Sequence, residues 1–161
     1  WIVDFPFFER DEKSGGWTFT HNPFSKPSPE HESYLLEKKD IGHILASQYD
    51  IVLNGFEIGG GSIRNERKEL LQSVFEIIGY SKDDIEKDFG HMLMALSYGA
   101  PPHGGIAAGL DRLLAILCIE PNIREVIAFP KTGEGRDPMM GAPAPISNEQ
   151  LDEIHLKIIK R

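Results

Sequence analysis

Two acids, Asp50 and Glu57, flank the dipeptide Asn54-Gly55, which lies between two runs of strand-like sequence. Asn-Gly in that setting is the strongest short signal for a two-residue hairpin turn. With that turn, Leu53 faces Phe56, Val52 faces Glu57 and Asp50 faces Gly59. Opposed residues of a ladder point to the same side of the sheet. Asp50 and Glu57 are then diagonal neighbours on one face, with Cβ atoms about 7–8 Å apart or somewhat less. Acids that close repel, and a cation between them relieves the repulsion. Mg2+ commonly uses one or two carboxylates together with substrate phosphates. The same spacing also fits two solvated acids on the open side of a hairpin. The opposite face, with Ile51, Leu53, Phe56 and Ile58, reads as a core face.

The strand continues through Gly59-Gly60-Gly61-Ser62 to Arg64. Glycines inside a strand weaken it and mark a bulge or a close approach of another group. Strict alternation puts Glu57 and Arg64 on opposite faces. If both serve one site, a bulge in the glycine run must shift the phase by one residue, and such a bulge is expected here.

A second anion site is suggested by Gly109-Leu110-Asp111-Arg112-Leu113, where a strand hands over to a helix. The first turn of a helix carries partial positive charge and free N–H groups. A cation such as Arg112 is unfavourable there unless an anion offsets it, and phosphate suits the guanidinium fork. A local Asp111–Arg112 surface pair is the alternative. No Gly-rich loop ends in Lys-Ser or Lys-Thr, so there is no P-loop, and no dinucleotide fingerprint or Cys/His metal spacing is present.

The elements that must position these residues follow from turn and periodicity signals. Strands are expected at Trp1–Phe5, Trp17–His21, along both arms of the hairpin, at Gly104–Leu110 and at Val126–Phe129. Helices are expected over Glu66–Ile78, over Asp83–Tyr98 with Ser81 as N-cap, and over Asp111–Cys118. Ser147 and Gln150 make a capping box for a last helix. Ser25–Asp40, rich in Pro, Ser, Glu and Lys, reads as a loop with a helical turn near Tyr34–Lys38. The class is α+β, an antiparallel sheet with flanking helices.

Composition adds bounds. The 161 residues fit one domain, and the net charge of −8 gives no global basic surface for nucleic acid. The single Cys118 cannot form an internal disulfide, which fits a reducing compartment. No apolar run approaches the ~18 residues of a membrane span. The opening Trp1-Ile2-Val3-Asp4 is no signal peptide and reads like the middle of a longer protein.

Ala100–Gly105 followed by Gly109–Leu113 resembles motif 3 of class II aminoacyl-tRNA synthetases in its aspartate-specific form. Leu53–Arg64 resembles the hairpin of bacterial-type aspartyl-tRNA synthetases. Trp1–Pro6, His21–Phe24, Ile123–Lys131 and Met140–Pro143 resemble that family too, in the same order. The resemblance implies a class II catalytic core, with ATP and L-aspartate as substrates, Mg2+ as cofactor and tRNA-Asp, with or without tRNA-Asn, as acceptor. It implies that Arg112 and Glu57 are catalytic, and that Gly109, Leu110, Asp111 and Arg112 line the ATP site with Glu57. Asp50 and Glu57 would hold the metal. Arg64 would take the side-chain carboxylate of aspartate, with His21 on a closing loop and Gly59 and its neighbours in the floor.

The match has departures. Asn65-Glu66 follows Arg64 where the family more often carries Ile-His, and His21-Asn22 stands for the usual His-His. Lys131–Gly135 also diverges from common forms. Motifs 1 and 2, the anticodon-binding barrel and the inserted domain have no counterpart. Residues 1–161 are therefore expected to be the C-terminal portion of a catalytic domain, inactive alone, from a cytoplasmic enzyme that is a homodimer when complete. A synthetase-derived binding module is the competing reading. Asparagine- or lysine-specific relatives fit less well, because Arg64 suits a carboxylate and Asp111 precedes Arg112.

Overall fold

The computed structural model describes residues 1–159 and divides into two compact units, residues 1–110 and residues 111 onward. In the first unit β1 (Ile2–Pro6), β4 (Leu45–Leu53), β5 (Phe56–Ile63) and β6 (Gly104–Ala108) form an antiparallel sheet in the order β1-β4-β5-β6. A small second sheet pairs β2 (Phe8–Arg10) with β3 (Trp17–Phe19). Three helices complete the unit: α1 (Glu32–Glu37), α2 (Lys68–Ile77) and α3 (Lys82–Ser97). The α+β class expected from sequence is what forms.

Local chemistry explains the elements that matter. Asn54 and Gly55 both adopt positive φ, 52° and 83°, the geometry of a turn whose twist matches the strands it joins. Helix α2 buries Leu70, Leu71, Val74 and Phe75 at helical spacing, and Gly79 follows it at φ 97°. The Ser81 side chain caps α3, accepting from the Asp84 N–H at 3.2 Å, and Asp83 and Asp84 lie at the positive end of the helix. Gly99, at φ 93°, and Pro101-Pro102 end it.

Two apolar clusters hold the unit together. Ala46 of β4 packs with Phe7, Phe8, Leu35, Ile44, Leu70 and Val74. Leu71, Phe75, Ile85 and Leu93 make the second, in which the Phe75 and Phe89 rings stack at 4.2 Å. Each fully buried Leu, Ile, Val or Phe among them contributes about 1.5–3 kcal/mol relative to exposure.

The core of the hairpin lies elsewhere than the sequence suggests. Leu53 and Phe56 are 38% and 52% exposed, so their face is not a core face at the hairpin tip. Ala46 and Gln48, which share the Asp50 face by alternation, are buried. One face of β4 thus runs from core at its start to open surface at Asp50. Alternation separates two faces; it does not tell which end of a face a helix will cover.

The second unit contains α4, which begins at the boundary (Leu110–Leu117), a 3-10 turn at Ile123–Glu125 and α5 (Asn148–Glu153). The Ser147–Gln150 capping box forms. The strand expected at Val126–Phe129 does not; that segment is turn and bend. A short apolar run becomes a strand only beside a ladder partner, and among the described residues of this unit the one bridge is Asp137 with Ala142.

Candidate active site

The β4–β5 register places the two acids. Leu53 pairs with Phe56 and Val52 with Glu57, but then Ile51 pairs with Gly59 and Asp50 with Gly60. The ladder slips by one residue between Val52 and Ile51, so β5 carries a bulge at Ile58. The expected bulge is present, one step before the glycines rather than among them. Beyond it pairing is regular: Tyr49 with Gly61 and Gln48 with Ser62.

This slip puts the charges together. Glu57 shares a face with Val52, and Gly60 shares the same face with Asp50. From Gly60, alternation carries that face to Ser62 and Arg64. Without the extra residue Arg64 would stand on the far side. A side chain at Gly60 would collide with Asp50 Oδ1 and would lie 3.5 Å from Glu57 Oε1. The two carboxylates therefore converge over Gly60, the residue beneath them. Gly59 pairs with Ile51 and Ala108, on the alternate phase. Its neighbour Gly61 lies against the backbone of Gly105 and Ile106, so β6 uses that bare position to come close.

Arg64 is fixed by backbone on two sides. Its N–H donates to His103 O at 2.9 Å, and it bridges Ser25 in antiparallel fashion. Lys26 N–H donates to Ile63 O and Asn65 N–H to Phe24 O, each at 2.8 Å. Residues 24–26 thus run as a short accessory strand along Ile63–Asn65. The Arg64 guanidinium donates through Nη1 to Asn22 Oδ1 at 3.0 Å. It borders a cavity of about 430 Å3 with Asn65 and His103 on its polar side and Phe24, Met92 and Leu96 on its apolar side. That volume is in the range of small-molecule sites.

An ion pair pins the accessory strand. Lys26 Nζ lies 2.6 Å from Glu66 Oε1 and 3.8 Å from Glu32 Oε1. Burial is the largest influence on Glu66 and pushes its carboxyl up, but the Lys26 hydrogen bond and charge, together with a backbone hydrogen bond, outweigh it and hold the carboxyl below its ordinary value.

The remaining sequence-derived residues fall as follows. His21 is exposed on the segment after β3. Gly109 N–H donates to Ile58 O at 2.7 Å, so Gly109 lies alongside the bulge next to Glu57. Leu110 opens α4, and Asp111 and Arg112 stand in its first turn, both exposed. Sequence reasoning missed Asn22, which it treated only as a departure from a histidine. Gly60, next to Gly59, is the glycine beneath the two acids. The Asn22-Pro23 dipeptide, a turn initiator, was a usable signal for a fixed side chain.

Two hard carboxylate oxygens over a bare glycine fit a Mg2+ ion that completes its shell with phosphate and water. Among the described residues no cluster of three or more His, Cys, Asp or Glu exists, so a dedicated all-protein cage is not formed here. No helix is long and apolar enough to cross a membrane among the described residues.

Comparison with known proteins defines the class. The family model described as tRNA synthetases class II (D, K and N) matches residues 1–133. The chain belongs to that family. Aspartate–tRNA(Asp/Asn) ligase of Chlorobium chlorochromatii is 54% identical over 98% of this chain and 26% of its own length. Aspartate–tRNA ligase of Streptomyces coelicolor is 51% identical over 99% of this chain and 27% of its own length. The chain thus spans about a quarter of the length of the curated relatives it matches. The solved asparaginyl-tRNA synthetase of Entamoeba histolytica, in complex with asparaginyl-adenylate, shares the fold. Its TM-score is 0.58 at 24% identity, over 84% of this chain and 26% of that one.

Proposed function

We propose that this chain is the motif-3-bearing, C-terminal portion of the catalytic domain of an aspartate–tRNA ligase. The reaction joins L-aspartate to ATP and then to tRNA. An oxygen of the aspartate α-carboxylate bonds to the α-phosphorus of ATP as the bond to pyrophosphate breaks, giving aspartyl-adenylate. A hydroxyl of the tRNA 3′-terminal adenosine then takes the aspartyl group, and AMP leaves. Nucleophile and leaving group are both anions, so positioning and charge neutralisation dominate and no protein nucleophile is needed.

The observation that carries this reading is the shared face of Asp50, Glu57 and Arg64, created by the Ile58 bulge. In it Arg64 receives the aspartate side-chain carboxylate. A guanidinium fork left half-satisfied by an amide favours aspartate over asparagine. Asp50 and Glu57 would hold Mg2+, which would supply charge neutralisation for the ATP phosphates. Glu57, Gly109, Leu110, Asp111 and Arg112 line the ATP site, with Arg112 on the γ-phosphate. His21 lies on the segment that closes over the amino acid. The acceptor is tRNA-Asp, with tRNA-Asn decided outside this chain. The complete enzyme is a cytoplasmic homodimer. The relatives' names support the amino acid and the tRNA.

The test is titration of the chain with Mg-ATP, L-aspartate and L-asparagine, repeated for Arg112→Ala and Arg64→Met. Expected are weak Mg-ATP binding lost in Arg112→Ala, and a preference for aspartate lost in Arg64→Met. Equal responses to aspartate and asparagine in the unaltered chain would overturn the aspartate assignment. Mg-ATP binding unchanged by Arg112→Ala would favour a binding module that keeps the fold without the chemistry.

A further inference from the structure

We infer that Asn22 is a positioning residue for Arg64: a neutral acceptor that fixes the guanidinium without consuming its charge. This rests on the reading of Arg64 as the carboxylate receptor. Asn22 Oδ1 is itself held in place. It accepts from Phe24 N–H at 3.0 Å and from Ser25 Oγ at 3.2 Å, closing a local turn. Ser25 is fully buried, so that turn is anchored. The same oxygen accepts from Arg64 Nη1 at 3.0 Å. With Phe24 N–H and Ser25 Oγ holding the oxygen, Arg64 Nη1 meets a fixed acceptor.

The chemistry of the acceptor matters as much as its place. Among the described residues no carboxylate pairs with Arg64; the ion pairs of this region use Lys26 and Arg67. An aspartate at position 22 would make the same three contacts, but it would neutralise Arg64 from within and compete with an incoming carboxylate. An alanine would free the guanidinium to rotate. A fixed, uncompensated guanidinium loses less order when it takes a carboxylate and offers its full charge to it. The Asn22 side chain is therefore a determinant of affinity for the acidic side chain, though it need not touch it.

Nitrogen-detected NMR of the Arg64 guanidinium, assigned with Arg64→Lys, tests the positioning without any ligand. L-aspartate titration tests its consequence. Restricted Nη rotation is expected in the unaltered chain and in Asn22→Asp, and free rotation in Asn22→Ala. Asn22→Asp, although ordered, should bind L-aspartate roughly tenfold more weakly, with the deficit shrinking as salt screens the new charge. Arg64 equally restrained in Asn22→Ala, or Asn22→Asp binding as tightly as the unaltered chain, would overturn the inference. A response to aspartate that survives Arg64→Met would instead remove the receptor reading, while the rotation data would still decide whether Asn22 holds Arg64.

Discussion

Asp50 stands directly across the ladder from Gly60, and its carboxylate occupies the space a side chain there would need. Glu57 reaches over the same glycine from the other side of the bulge. One missing methyl group lets two like charges share a spot, an arrangement that a cation between them would favour.

Adjacent glycines should therefore respond differently to alanine. In Gly60→Ala the new Cβ meets the flexible end of Asp50, which can rotate away. Stability should fall by less than about 1 kcal/mol, while Mg2+-dependent nucleotide binding is lost. In Gly61→Ala the Cβ meets the backbone of Gly105 and Ile106, so β6 itself must shift. A loss of about 1–3 kcal/mol is expected from such overpacking. Urea midpoints and Mg-ATP titration of the two variants distinguish these outcomes; equal destabilisation would contradict the geometry.

Removing one acid should have opposite effects with and without metal. Without divalent ions, Asp50→Asn relieves repulsion and should raise stability by roughly 0.2–1 kcal/mol. In the presence of Mg-ATP the unaltered chain gains from ligand linkage, and Asp50→Asn does not. Thermal melts with EDTA and with Mg-ATP should thus cross over. A lower melting point for Asp50→Asn in EDTA would show that the two carboxylates are not close enough to repel.

The Lys26–Glu66 pair predicts a pH signature. Burial, the largest influence, pushes the Glu66 carboxyl up, but the Lys26 hydrogen bond and charge together with a backbone hydrogen bond exceed it, and its value is depressed. A depressed acid stabilises above the ordinary carboxylate range, and the gain is lost as pH falls through the depressed value. Lys26→Met removes the main group opposing burial, leaving only a backbone hydrogen bond and the more distant His103 against it, and should cost about 1–3 kcal/mol at neutral pH. Protonation of Glu66 then relieves that cost, so the gap between the two proteins should narrow as pH drops toward and below the carboxylate range. Denaturant midpoints across that range measure it; a gap independent of pH would assign the loss to packing of the lysine stem.

Particular residues show what the sequence made legible. Asn54-Gly55 fixed the hairpin because few dipeptides tolerate two successive positive φ values. The need for a bulge followed from counting between Glu57 and Arg64. Its seat at Ile58 did not follow, because glycine tolerates a bulge without requiring one. Leu53 and Phe56 were read as core from alternation alone, yet coverage depends on where α1 and α2 pack. Val126–Phe129 lacked a ladder partner, which no local pattern reveals. Asn22 meets Arg64 across 42 positions of chain, a contact made by tertiary pairing of residues 24–26 beside it.

The single extra residue at Ile58 makes strand length a functional quantity. Deleting one amino acid between Glu57 and Gly59 would turn everything downstream over, sending Arg64 to the back of the sheet with its chemistry intact but misdirected. Spacing between these positions is thus constrained independently of which amino acids fill them. A one-codon loss here would be more damaging than most substitutions nearby.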